Sequence, residues 1–330
     1  MYRHQEERSV EAVCYEHKHI EKVLEVIKLK FNEYFNDFIT LEAGYGVSEQ
    51  DIQKLAEKLG IERVKSKKNS DIAKKFKNII VEASDDFQKD REKYIAIFDK
   101  EALEEYEDDP QYFKSTVLKK ECPIIHHTLF SSAKELEKYK RDFNISDANE
   151  LLTVVSNLCY FSEDYYNNFY DENTYDKINC YEDLRVSDLD TEDYTVYGVI
   201  GGGIKSHMLY KVYPAVFPNR SREAIWALWY LTDKKTFDCK QDSEFLMIDV
   251  DKSITQQNYF YPYELFTFYA HQIYQMLKQK ADENNVYLDP ENRYIIVDAF
   301  LSFVAKQHEE EISFLKQQIR DGGLGYAEYR

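Results

Sequence analysis

Glycine and proline are scarce in this chain, which has ten glycines and six prolines among 330 residues. These residue types make many of the tight turns in proteins, so the chain has too few of them for a sheet-rich fold with many hairpins. A hydrophobic fraction of 43% and 28 tyrosines still supply enough apolar surface for packed cores. The sequence therefore predicts a mostly α, multi-helix fold, with at most a few short strands around 195–200 and 245–250.

Helical periodicity agrees with this fold class and indicates two helical parts. Apolar residues recur at spacings of three and four along residues 16–39, and a final helix is expected over about 291–319. Ser146 is a good N-cap for the apolar helix that follows it. We therefore expect an N-terminal helical domain at 1–145 and a C-terminal helical domain at 146–330.

Cysteine usage and hydropathy exclude several classes of protein. The cysteines are far apart and never form a C-x-x-C pair: Cys14, Cys122, Cys159, Cys180 and Cys239. We therefore expect no disulfide framework, no zinc site and no cysteine-bound iron–sulfur cluster, and we assign no metal ligand and no cofactor to these residues. Since no run of about 18 apolar residues occurs, we also expect no membrane span and a cytoplasmic location.

The charge distribution singles out one segment. The formal net charge of −18 weighs against binding of polyanions over the whole surface. Between Asp193 and Glu223, however, no acidic residue occurs. This acid-free segment holds three consecutive glycines and four basic residues, Lys205, Lys211, Arg220 and Arg222.

The glycines lie in a sequence, VIGGGIKSHML at 199–209, that resembles the helix–hairpin–helix DNA-binding motif. In that family, hairpin glycines and the amides at the start of the second helix bind a DNA phosphate, and helix starts favour anions in general. The resemblance implies contacts to double-stranded DNA, without base specificity. The residues that would make them are Gly201, Gly202, Gly203, Lys205, Ser206, Lys211, Arg220 and Arg222.

Through residue 218 the chain also resembles, more weakly, the DNA glycosylases of this family. That resemblance implies that Lys205 could attack the sugar C1′ carbon, as a lysine at this position does in some members. The assisting acid in the family is an aspartate, whereas the first carboxylate here is Glu223. A phosphate-facing or solvated Lys205, with Glu223 in the first turn of a helix, is the simpler interpretation.

One other interpretation of the glycines remains, and a second is excluded. Residues 195–200 are good strand formers, so the glycines could simply make a β-hairpin turn. The chain would then be a non-enzymatic protein-interaction component whose acidic helical surface binds another protein. A nucleotide-binding loop is excluded, because Ile204 and Val199 stand where a Walker A sequence requires glycine.

An acidic pair occurs after a predicted strand. The sequence FLMIDVDKSIT resembles the first motif of haloacid-dehalogenase-like phosphatases through Asp249 and Asp251. That fold needs alternating strands and helices afterwards, whereas the remaining sequence is mostly helical. We expect a strand with an acidic end, and leave open a metal site made by Asp242, Glu244, Asp249 and Asp251.

The sequence thus favours a DNA-associated protein that contacts backbone phosphates, with DNA repair or DNA-directed defence as the expected setting. The protein-interaction component and the Lys205 glycosylase are the alternatives.

Overall fold

The computed structural model of the protein describes residues 9–41, 70–239, 244–249, 254–257 and 261–321. These residues form a mostly α, multi-helix structure, as the sequence predicts. No helix in the described ranges is long and apolar enough to cross a membrane.

The described residues of the first half of the chain form a series of helices. They are α1 (Val10–Val13), α2 (His17–Leu41), α3 (Ser70–Gln88), α4 (Arg91–Ile97), α5 (Lys100–Glu105), α6 (Pro110–Tyr112), α7 (Pro123–Phe130), α8 (Glu137–Ile145) and α9 (Ala148–Asp164). Shorter 3-10 turns lie at Tyr106–Asp108 and Lys134–Leu136, and π-helical segments at Phe113–Glu121 and Tyr165–Phe169.

The second half begins with small elements and continues with longer helices. Its helices are α10 (Glu172–Tyr175), α11 (Gly202–Val212), α12 (Arg222–Leu231), α13 (Tyr263–Glu283), α14 (Arg293–Gln307) and α15 (Glu309–Asp321). The 3-10 helices are Tyr181–Leu184, Ser187–Asp190, Glu192–Tyr194 and Pro290–Asn292.

The described residues contain two short strands, close to one of the two places where the sequence predicts strands. Strand β1 (Leu246–Asp249) pairs antiparallel with β2 (Ile254–Gln257), with Leu246 opposite Gln257. At 195–200 the extended residues form only an isolated bridge between Val196 and Ile200.

The start of α9 lies one residue later than the sequence predicts. The carboxylate of Asp147 caps this helix by accepting hydrogen bonds from the N–H groups of Asn149 and Glu150, at 2.8 and 3.1 Å. The hydroxyl of Ser146 instead donates to the Phe143 carbonyl at 2.8 Å. Both residues are good N-caps, so composition alone could not choose between them.

Helix α12 lies at the centre of the hydrophobic core. Every residue from Ala224 to Leu231 is buried, as expected of a helix surrounded by others. It packs mainly against α14, and α2 contacts both helices. One cluster of buried apolar residues extends from Val10 to Ile312 and so includes residues from both sides of position 145. The division into two domains stays a prediction.

A buried arginine joins the C-terminal helices to the middle of the chain. Arg293 is fully buried; its Nη2 donates to Asp176 Oδ1 at 2.7 Å and its Nη1 donates to the Ala215 carbonyl. The guanidinium also lies 4.6 and 5.0 Å from the ring centres of Tyr175 and Tyr274. A buried charge with this many partners is costly to remove, since its partners would then be left uncompensated.

Replacing Arg293 with methionine keeps a long side chain but removes the buried cation. We expect a loss of about 3 kcal/mol in the free energy of unfolding, measured in urea, because Asp176 and the Ala215 carbonyl lose their partner. Lys278→Met is the matched control, since Lys278 is the second cation on Asp176 but its side chain is 35% exposed. That variant should lose less than about 1 kcal/mol. Equal losses in the two variants would contradict this role of Arg293.

Candidate functional site

The three glycines begin helix α11. Gly201 is the N-cap, in an extended conformation with φ −97° and ψ −174°, and Gly202 is the first helical residue. The element before them is the 3-10 helix Glu192–Tyr194, followed by a turn that the Val196–Ile200 bridge closes. In that turn it is Gly198 that adopts a left-handed conformation, with φ 79°. The turn therefore precedes the triple glycine, which itself forms a helix start.

The N-terminal amides of α11 have no protein partner in the described part of the chain. The first hydrogen bond of the helix runs from Lys205 N to the Gly201 carbonyl at 3.0 Å, so the N–H groups of Gly202, Gly203 and Ile204 precede it. Gly201 has no side chain to cap them, and the first turn contains no acidic residue. A Cβ atom at Gly201 would have no neighbour within 4 Å, so there is open space beside this N-cap residue.

The backbone groups at the opposite end of α11 and at the start of the next helix, α12, have hydrogen-bond partners. Arg91 donates to the carbonyls of Lys211 and Val212 at 3.1 and 3.3 Å. The Ser221 hydroxyl caps α12 by accepting from Ala224 N at 3.0 Å. The open helix start at the glycines therefore differs from its neighbours in having free donors.

Helix α13 takes its cap from a distant residue. The carboxylate of Asp190 accepts from the N–H groups of Tyr263 and Glu264, at 2.8 and 3.1 Å. Burial of the carboxylate raises the pKa of Asp190, although these hydrogen bonds and the charges of Lys205 and Arg220 act in the other direction. Asp190 thus links the start of α13 to the cations that lie behind the glycines.

Arg220 lies directly behind the start of α11. A Cβ atom on Gly202 would be only 2.7 Å from Arg220 Nη1, so this glycine leaves room for the guanidinium. Arg220 is 5% exposed, and burial lowers its pKa to about 10. Its backbone N–H donates to Ser206 Oγ at 3.0 Å, and the Ser206 hydroxyl bonds to the Gly203 carbonyl at 3.1 Å. These contacts hold the starts of α11 and α12 side by side.

Two of the lysines singled out in the sequence also face inward. Lys205 is 3% exposed, and its ammonium donates to the Leu189 carbonyl and, at 3.2 Å, to Thr195 Oγ1. Burial lowers the pKa of Lys205 to about 8. Lys211 is 8% exposed and donates to the carbonyls of Phe87 and Lys89 at 2.6 and 3.0 Å. Lys205 therefore joins a carbonyl to a hydroxyl, and Lys211 joins two carbonyls.

Arg222 and Glu223 are exposed in the first turn of α12. The structure thus separates the eight residues of the predicted DNA contact into two groups. Those with groups at the surface are the glycines and Arg222, whereas Lys205, Ser206, Lys211 and Arg220 are buried. Glu223 is exposed while the Lys205 ammonium is buried.

The four acidic residues of the open metal-site hypothesis do not form one described cluster. Asp242 and Asp251 lie outside the described residues, and Asp249 ends β1. Glu244 is 1% exposed; its carboxylate contacts His19 Nε2 and accepts from the Tyr261 hydroxyl at 2.5 Å. Glu244 is therefore part of an internal polar network.

Sequence reasoning missed Asp190, Leu189 and Thr195. Asp190 lies in an acid-rich stretch without clear periodicity, and it caps a helix that begins 73 residues later. No local pattern could have indicated that pairing. The sequence offered one signal. Because no acidic residue follows Asp193 before Glu223, the carboxylate that compensates the charges of Lys205 and Arg220 could be expected earlier in the chain.

Comparison with known proteins adds no assignment. No protein-family model, no curated protein and no solved structure matches the chain. The candidate site is therefore assessed from its own geometry.

Alanine substitutions at the adjacent glycines should have opposite effects. Gly202→Ala places a Cβ 2.7 Å from Nη1 of Arg220. Because Arg220 is 5% exposed, the end of its side chain has little room to move away, so we expect a loss of about 1 to 2 kcal/mol in the free energy of unfolding. Gly203→Ala is the control, since its Cβ would be 3.8 Å from the nearest atom and alanine favours a helix by up to about 1 kcal/mol over glycine. Urea unfolding measures both changes. Destabilisation by Gly203→Ala, or none by Gly202→Ala, would contradict this packing.

Proposed function

We propose that this chain binds phosphate groups of the DNA backbone at the start of α11. The observation that carries the proposal is the set of free N–H groups of Gly202, Gly203 and Ile204 at the open, positive end of an 11-residue helix. Such amides bind anions well because their hydrogen bonds and the helix dipole act in the same direction. The resemblance of residues 199–209 to the helix–hairpin–helix motif supports phosphate of DNA as the anion.

The buried cations give this site its positive potential. The guanidinium of Arg220 lies beside the partial positive charge at the start of α11, and two like charges close together in a poorly solvated environment repel each other. Asp190 offsets part of this charge. A phosphate bound on the outer side would offset more of it, so the local electrostatics favour an anion there.

Direct and indirect contacts are distinct in this proposal. Phosphate oxygens accept from the glycine amides, and Arg222 is an exposed cation in the first turn of α12. Lys205, Lys211 and Arg220 do not contact the phosphate directly. They hold the helix starts in place and add to the positive electrostatic potential. None of these contacts reads a base, so the binding is independent of DNA sequence.

The net charge of the protein limits the strength of this binding. A chain of net charge −18 repels a polyanion at long range, and one helix start contacts only one or two phosphates. We therefore expect weak binding that falls as salt concentration rises.

Chemistry at Lys205 is not part of the proposal. A lysine nucleophile needs a lowered pKa, which Lys205 has. Its ammonium, however, is buried and donates to Leu189 and Thr195 of its own chain, so a sugar carbon could reach it only if this structure opened. The geometry therefore favours binding without glycosylase or lyase activity.

The test is to block the amides without harming the helix. In Gly201→Asp, the new carboxylate occupies open space at an N-cap and can accept from the same N–H groups, which should stabilise α11. We expect wild type to bind labelled duplex DNA, by fluorescence anisotropy at about 50 mM salt, and to weaken towards about 200 mM. Gly201→Asp should lose at least about tenfold in affinity.

Gly201→Ala is the matched control, because it adds a Cβ at the same position and leaves the amides free. Its affinity should stay within about twofold of wild type. If Gly201→Asp binds as well as Gly201→Ala, the amides are not the phosphate site. If wild type does not bind duplex DNA even at low salt, the proposal is wrong, and the protein-interaction component with an acidic surface becomes the better hypothesis.

A further inference from the structure

A second cluster of chemically active side chains includes none of the residues at the start of α11. His17 is the first residue of α2, while Cys180 and Glu182 lie at the start of the 3-10 helix Tyr181–Leu184. One ligand atom from each of the three residues lies within 4.8 Å of the other two. His17 Nε2 is 3.5 Å from Glu182 Oε1, and Cys180 Sγ contacts Glu182 Oε2.

We propose that His17, Cys180 and Glu182 bind a Zn²⁺ ion, with water at the fourth position. An imidazole nitrogen, a thiolate sulfur and a carboxylate oxygen are all established ligands of zinc. The thiolate and imidazole favour Zn²⁺ over Mg²⁺ or Ca²⁺, which prefer oxygen ligands.

The separations of the ligand atoms suit a tetrahedral ion. With zinc about 2.1 Å from nitrogen and oxygen and about 2.3 Å from sulfur, ligand atoms in such a site lie roughly 3.4 to 3.6 Å apart. The ligand atoms lie within 4.8 Å of one another, and side-chain rotations that open the close Cys180 Sγ–Glu182 Oε2 contact would bring them to this geometry. The side chains of His17 and Glu182 are 67% and 49% exposed, so both can rotate and an ion can enter from solvent.

Neighbouring aromatic rings fix the two parts of this site relative to each other. The ring of Tyr181, between the two ligands of the 3-10 helix, lies 6.0 Å from the His17 ring and 5.4 Å from the Tyr15 ring. These contacts hold the start of α2 against the 3-10 helix before any ion binds. A zinc ion would join, through coordination bonds, two segments that are more than 160 residues apart in sequence.

The sequence-based expectation of no metal site rested on the absence of paired cysteines. A site with one cysteine, one histidine and one glutamate from distant segments has no such spacing signal. The expectation and this proposal therefore rest on different observations.

The test is direct zinc binding by the full chain after removal of metals with a chelator. Isothermal titration and elemental analysis after dialysis should give one Zn²⁺ per chain that Mg²⁺ does not displace. Co²⁺ in its place should give visible d–d bands of a tetrahedral site and a thiolate-to-cobalt band in the near ultraviolet. Cys180→Ser should remove the thiolate band, and Cys180→Ser and His17→Gln should each lower zinc affinity at least about tenfold.

His127→Gln is the matched control, because His127 is an exposed histidine outside the cluster. Its zinc affinity should equal that of wild type. No saturable zinc binding by wild type would overturn the proposal, and so would binding that both cluster variants leave unchanged. Because all these variants change exposed or half-buried side chains, circular dichroism should confirm that each remains folded. The result is independent of DNA binding at α11.

Discussion

The structure around the glycines depends on basic side chains that point into the protein and are buried there. A buried ammonium or guanidinium is costly unless its protons have partners. Lys205 meets this need with Leu189 and Thr195, and Lys211 meets it with carbonyls at the end of α3. Each lysine thereby ties α11 to a segment that precedes it in the chain. Substitution of either Lys205 or Lys211 would remove both a buried charge and the hydrogen bonds that join α11 to that earlier segment.

The groups that fix the position of α11 are therefore different from the groups that we propose bind an anion. Side chains that could have neutralised a phosphate are used to fix the position of α11, and Arg220 fills the space behind Gly202. What remains at the surface is the backbone of the glycines and the side chain of Arg222. Two physical reasons therefore explain the glycines at these positions. Gly202 makes room for a guanidinium, and Gly201 leaves the first N–H groups of the helix uncapped. The proposed zinc site differs in kind, since exposed side chains form it and a tight core does not.

Periodicity was enough to predict most of the helical fold but not where every helix ends. The pattern of the last segment predicts one helix over about 291–319, whereas the structure has α14 and α15 with a break at His308. No glycine or proline marks this break. Its cause is tertiary: the His308 ring stacks on Tyr230 at 3.6 Å, and His308 Nε2 hydrogen-bonds to the Tyr34 hydroxyl at 2.9 Å.

The candidate site shows the same division between local and distant information. The acid-free segment and its glycines can be found in the sequence, because both are local features. Whether Lys205 faces solvent cannot, because the answer depends on a carbonyl 16 residues earlier and on the packing around it. The cluster of His17, Cys180 and Glu182 is likewise visible only once the chain is folded.

The central claim is that the free amides at the start of α11 bind phosphate. Selective ¹⁵N-glycine labelling restricts the amide spectrum to the ten glycines of the chain, and the Gly203→Ala variant assigns one of the relevant peaks. On titration with inorganic phosphate at constant ionic strength, we expect the peaks of Gly202 and Gly203 to shift in a saturable way, while Gly198 shifts less. Chloride at the same ionic strength should not reproduce these shifts. Absence of a saturable shift at Gly202 and Gly203, or equal shifts with chloride, would contradict the claim.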